Sequence, residues 1–139
     1  MKKLRVGMVG GGGPESFFGA VHLRAISLDA TREVVAGALR SNPEKSMEAA
    51  EDWGIQGYPD FQAMVDAVKN GELDLDYVTI VTPNHAHFAP AKACIEAGIP
   101  VMCEKPMTFT VEESEELAAL VKAKGIPFVL AHTYTGHPM

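Results

Sequence analysis

The chain has 139 residues, close to the roughly 150 that one domain uses, which argues against a complete two-domain enzyme. Hydrophobic residues make up 47% and charged residues 22%, the balance of a globular protein and not of a disordered one. Eighteen acidic against twelve basic side chains leave a net charge of −6, which excludes a general attraction to nucleic acid or to an anionic membrane surface. The two cysteines, Cys94 and Cys103, form no CxxC pair and no zinc-like spacing. A reduced, cytoplasmic location is the expectation. The basic start Met1-Lys2-Lys3-Leu4-Arg5 lacks the long apolar region of a signal peptide. No run approaches the ~18 apolar residues of a membrane span.

Strand-like and helix-like segments alternate. Leu4–Val9 reads as a buried strand. Phe18, Val21, Ala25 and Leu28 then recur at helical spacing. Val34–Leu39 is a second buried strand. Asn42-Pro43-Glu44 supplies an N-cap with proline at the first helical position, opening a helix to about Trp53. Asp60 caps the next helix, in which Phe61, Met64, Val65 and Val68 form one apolar face. Tyr77–Val81 is a strand, and Phe88, Ala91 and Ile95 mark another helix. Val101–Cys103 is a short strand. Thr110-Val111-Glu112-Glu113 is a capping box, with Leu117, Leu120 and Val121 turned to the core behind it. Phe128–Ala131 is the last strand. Gly54, Gly71, Gly98 and Gly125 each follow a proposed helix, where a left-handed cap suits glycine.

Continuously apolar strands imply burial on both faces, and their alternation with helices implies parallel pairing. The fold class is α/β: a doubly wound parallel sheet in a single three-layer domain. Ligands of such sheets bind beyond the carboxyl ends of the strands, where strand order reverses. The loops to read therefore follow the strands ending near Val9, Leu39, Val81 and Cys103.

The first of these loops is Gly10-Gly11-Gly12-Gly13-Pro14-Glu15-Ser16-Phe17-Phe18-Gly19. A strand-to-helix turn without side chains lets backbone N–H groups approach a phosphate, and the helix dipole adds attraction. Gly10 and Gly12 fit the first two positions of a dinucleotide fingerprint, with Gly13, Ser16 and Phe17 beside them. Gly19 is the best third glycine, so the turn carries four extra residues. Glu15 sits among them, and its carboxylate must point away from a pyrophosphate. The tip of the second strand reads the ribose: an acid there suits NAD, an arginine NADP. Here it carries Arg40 and Ser41 and no acid, so NADP is favoured over NAD.

Thr82-Pro83-Asn84-His85-Ala86-His87 and Glu104-Lys105-Pro106 lie on the same edge. Together with Val6-Gly7-Met8-Val9-Gly10, they make the chain resemble the Gfo/Idh/MocA group of glucose–fructose oxidoreductases and inositol dehydrogenases over essentially its whole length. The resemblance implies a nicotinamide-dependent oxidoreductase acting on a sugar, cyclitol or related polyol. It implies that Lys105 lies near the nicotinamide and the reacting carbinol, as the catalytic residue. It also implies that Thr82, Pro83, Asn84 and His85 border the cofactor, and that a cis bond precedes Pro106. Glu104 has two open roles, pairing with Lys105 or holding the nicotinamide ribose.

Turn chemistry alone also accounts for Asn84 after Pro83, and His85 or His87 could cap the following helix. Two histidines without a nearby acid or cysteine make no metal site. His22 is expected to pack, and both cysteines to be core thiols. Glu112, Glu113, Glu115 and Glu116 suit the positive end of a helix dipole.

The family normally continues into a second α/β domain that supplies most of the substrate pocket and the proton-transfer residues. The sequence ends at Met139, about where that crossing would begin. The expectation is a cofactor-binding half with little turnover of its own, whose uncovered surface favours self-association. The competing reading is a nucleotide-binding or sensing module without catalysis. A methyltransferase is disfavoured by the missing acid at the second strand's tip.

Overall fold

Hydrophobic runs and caps fall into register with the elements that form. The computed structural model describes residues 2–13 and 16–136. Six strands appear: β1 (Leu4–Gly10), β2 (Arg32–Ala38), β3 (Gln56–Gly57), β4 (Tyr77–Val81), β5 (Val101–Glu104) and β6 (Phe128–Ala131). Five α-helices connect them: α1 (Phe17–Ser27), α2 (Pro43–Asp52), α3 (Phe61–Lys69), α4 (Phe88–Glu96) and α5 (Val111–Lys124). The strands form one parallel sheet in the order β3-β2-β1-β4-β5-β6. Strand order therefore reverses between β1 and β4, and that gap is the ligand position of a doubly wound sheet.

Two apolar cores flank the sheet. Val6 and Met8 of β1 pack with Ile26 of α1 and with Ala49 and Ala50 of α2. Val9 joins the other core, with Met64 and Val65 of α3, Cys94 and Ile95 of α4 and Leu117 of α5. Successive strand side chains point to opposite faces, so one short apolar run serves both layers.

The caps are made as the sequence predicts. Asn42, Asp60 and Thr110 accept from the amides of Lys45, Ala63 and Glu113, and Glu113 completes the capping box. Gly54, Gly71, Gly98 and Gly125 all take positive φ after their helices.

Three features differ from the sequence reading. The two-residue β3 carries too few residues to show a period. In α1 the inward face is Gly19, His22 and Ile26, while Phe18, Val21 and Leu28 are exposed. Close packing of α1 on the glycine loop favours small and polar residues inside, which inverts the apolar stripe. Finally, β2 begins earlier and ends earlier than predicted, with Leu39 already in the loop.

Candidate functional site

The glycine loop is defined by what a side chain would strike. A Cβ on Gly12 would lie 2.4 Å from the Cβ of Leu39, and one on Gly19 would lie 1.8 Å from the carbonyl oxygen of Gly11. Gly12 also donates its amide to the Leu39 carbonyl at 3.1 Å, tying the loop to the tip of β2. Gly10 takes φ +78° as the chain leaves the sheet. Ser16 caps α1 by accepting from the Gly19 amide at 3.2 Å. That leaves the amides of Phe17 and Phe18, at the first turn, without intrahelical acceptors. Glu15 lies outside the described residues.

The tip of β2 is held from below. The buried Ser46 hydroxyl accepts from the Leu39 amide at 2.9 Å and donates to the Tyr58 carbonyl at 2.6 Å. Arg40 and Ser41 thereby emerge beside the glycine loop. Arg40, Gly13 and Lys45 line a cavity of about 570 Å³, together with Glu48, Asp52 and Trp53 of the α2 side. Lys45 is a cation that sequence reasoning missed. Its signal was its place three residues after the Asn42 cap, in the first turn of a helix facing the loop.

After β4 the chain makes a 3-10 turn at Asn84–Ala86. The Thr82 hydroxyl donates to the Ala86 carbonyl at 3.0 Å. His87 stands at the N-cap position of α4, but its side chain makes no cap hydrogen bond. Its buried ring places Nδ1 2.7 Å from the Pro106 carbonyl oxygen and Nε2 2.9 Å from that of Thr82. One side chain thus spans the two loops that follow β4 and β5.

At the end of β5, Glu104 turns inward. Its Oε1 lies 2.7 Å from Nε2 of His22, and its Oε2 accepts from the Lys105 amide at 3.2 Å. His22 is thus more than packing, and its Nδ1 lies 3.2 Å from the Thr79 hydroxyl. The peptide bond between Lys105 and Pro106 is cis, as the family resemblance implies. The Lys105 side chain is exposed.

A cleft of about 880 Å³ joins most of these groups. Gly10, Gly12, Ser16, Phe17, Arg40, Ser41, Thr82, Pro83 and His85 all line it. Gly11, Phe18, Leu39, Asp60, Phe61 and Pro90 line it too, without having been singled out. Gly13 lines the adjoining cavity, and Gly19 packs beneath the loop. Asn84, Glu104 and Lys105 stand outside the cleft lining, Asn84 and Lys105 exposed and Glu104 half-buried. The cysteines are buried and unpaired, and burial pushes both thiols up to about 12. Among the described residues, no group of three His, Cys, Asp or Glu is placed to hold a metal. Nor is any helix among them long and apolar enough to cross a membrane.

Known proteins share this fold. A levoglucosan dehydrogenase of Pseudarthrobacter phenanthrenivorans is 35% identical over 149 aligned positions, covering 99% of this chain and 35% of that protein. The crystal structure of an oxidoreductase from Sinorhizobium meliloti matches with a TM-score of 0.92 at 42% identity, covering 100% of this chain and 39% of the other. An inositol dehydrogenase homolog from Azotobacter vinelandii, complexed with NADH and myo-inositol, matches with a TM-score of 0.88 at 34% identity, covering 98% and 36%. The chain spans little more than a third of the length of such relatives. The family model for the oxidoreductase family with an NAD-binding Rossmann fold matches residues 4–132. On this sheet order, glycine loop and family match, the chain belongs to the Gfo/Idh/MocA oxidoreductase family and forms its NAD-binding Rossmann domain.

Proposed function

We propose that the chain binds a nicotinamide dinucleotide in the cleft at the switch point, NADP in preference to NAD. In a longer protein it would present the nicotinamide to a sugar, cyclitol or related polyol held by a further domain. One observation carries this reading: a single cleft of about 880 Å³ is lined at once by the glycine loop, the tip of β2 and the loop after β4.

The residues present fit such a group. The loop from Gly10 to Gly12 offers backbone free of side chains, and the first-turn amides of Phe17 and Phe18 at the start of α1 suit a pyrophosphate. Arg40 and Ser41 at the tip of β2, with Lys45 across the adjoining cavity, supply the cations and hydroxyl that a 2′-phosphate needs. Thr82, Pro83 and His85 border the nicotinamide half, with Asn84 at the rim. Lys105, on the loop after β5, would stand near the reacting carbinol of a bound substrate. There its ammonium would stabilise charge that develops on the alkoxide oxygen. The dinucleotide, when bound, supplies the hydride chemistry, while the protein supplies position and charge. The substrate class follows from the sugar- and inositol-directed names of the relatives. By itself this domain binds cofactor and turns over little.

Titration calorimetry with NAD⁺, NADP⁺, NADH and NADPH tests the reading. Binding of all four, tightest for the phosphorylated pair, is the expected result. A folded sample that binds none of them overturns it.

A further inference from the structure

Beside the cleft runs a hydrogen-bonded chain of side chains that joins three elements of the fold, α1, β4 and β5. Thr79 of β4 and His22 of α1 are buried, and the Glu104 side chain at the end of β5 is only 12% exposed. An ionised carboxylate only accepts. The His22 Nε2–H donates to Glu104 Oε1 at 2.7 Å, and the other ring nitrogen, Nδ1, lies within hydrogen-bond distance of the Thr79 hydroxyl at 3.2 Å. The other carboxylate oxygen accepts from the amide of Lys105 at 3.2 Å. Each polar atom in this chain has a partner, and each donor has one acceptor.

We propose that His22 is a positioning residue for Lys105. It acts through Glu104, and it links the phosphate-binding end of α1 to the loop that presents the lysine. The geometry of α1 carries the argument. Its first turn is pinned on the glycine loop, because Gly19 sits on the Gly11 carbonyl with no room for a Cβ. His22 lies three residues further along, on the same face one turn later. A ligand that settles the glycine loop thus also settles where His22 stands. His22 fixes the rotamer of Glu104, and Glu104 holds the first amide beyond β5. A hydrophobic residue at this buried position would pack as well but would leave Glu104 without its donor. The role of Lys105 rests on the function proposed above; the contact to its amide does not.

Amide hydrogen exchange in the ligand-free chain tests the positioning, with His22→Leu and His22→Gln. Gln can place an N–H near the Nε2 position; Leu cannot. His22→Leu should speed exchange of the Lys105 amide about tenfold, leaving the Glu113 amide in the distant capping box unchanged. His22→Gln should restore the slow rate. Should the leucine variant not fold, His22→Asn replaces it, since its amide reaches Thr79 but falls short of Glu104. An unchanged Lys105 rate, an equal rise at Glu113, or no rescue by Gln overturns the proposal.

A second arm reads the link to the cofactor. His22→Leu should weaken NADPH about fivefold, the size of one modest hydrogen bond, while 2′,5′-ADP, which lacks the nicotinamide, is held as before. Equal weakening of both overturns the link. If the unaltered chain binds neither, the proposed function fails while the exchange rates still decide the role of His22.

Discussion

A Cβ added to Gly19 would lie 1.8 Å from the carbonyl oxygen of Gly11, so helix α1 and the glycine loop touch backbone to backbone. No rotamer change relieves a clash between a Cβ and a main-chain oxygen. Gly19→Ala must move the helix or the loop. The expected outcome is a loss of about 3 kcal/mol in urea unfolding, at the upper end of overpacking costs. On the proposed reading dinucleotide affinity should fall with it, because the displaced helix would carry the amides that face the phosphates. A variant of unchanged stability and affinity would mean that the contact is looser than its geometry.

Arg40 decides between cofactors on the proposed reading. Arg40→Ala should lower NADPH affinity about tenfold, the scale of one charge-assisted hydrogen bond to phosphate. NADH affinity should stay within about twofold, since no 2′-phosphate is lost there. Lys45→Ala should act in the same direction and less strongly, as Glu48 and Asp52 share its cavity. Equal losses for both dinucleotides in calorimetry would remove the 2′-phosphate role.

His87 joins two loops by contacts to carbonyl oxygens of Thr82 and Pro106. His87→Leu keeps much of the volume and removes both contacts. The two carbonyls then lie beside an apolar side chain, at an expected cost of about 2–3 kcal/mol in thermal or urea unfolding. Amide exchange in residues 82–86 should rise before the rest of the chain opens. Uniform exchange across the sheet would show that His87 contributes to packing alone.

The two buried thiols give a pH dependence with a definite sign. Burial is the main cause that pushes Cys94 and Cys103 from a usual value of 9.0 up to about 12, and for Cys103 the charge of Glu104 adds to it. Between these values the unfolded chain releases the thiol protons and the folded chain holds them. Stability is therefore fully present below about pH 9 and falls as pH rises from about 9 to 12. Alkylation at pH 8 should be slow in the native chain and fast in urea, because only the thiolate reacts. Rapid native labelling of either cysteine would refute its burial.

The architecture was legible because it depends on local signals. Caps at Asn42, Asp60 and Thr110, together with glycines after four helices, punctuate the chain without reference to the rest of it. The parallel sheet followed from runs such as Val6–Val9 that are apolar at every position. The helical stripe of Phe18, Val21 and Leu28 misled, because α1 turns its small and polar face inward toward the glycine loop. β3 left no signal in two residues. At the site, the rule that ligands lie beyond the carboxyl ends of the strands picked out loops whose Arg40, Ser41, Thr82, Pro83 and His85 do line the cleft, but it missed Asp60 and Phe61 and chose the loop of Glu104 and Lys105, which stands outside the lining. Lys45 escaped because its nearness to Arg40 depends on how α2 packs.

By itself the sequence determined the alternation of elements, the strand ends that form the ligand edge, and the family to which the chain belongs. The first two are set by residues near one another along the chain, through propensity, capping and hydrophobic period, while the family is carried by the motifs at the ligand edge. Only the tertiary structure decided what the buried polar groups do. His22 and Glu104 are 82 residues apart, and His87 and Pro106 are 19 apart. Whether a buried imidazole packs, caps or bridges depends on which acceptors the folded sheet brings to its nitrogens. Those acceptors arrive from other strands and loops, and no local pattern in the sequence records which of them a ring nitrogen meets.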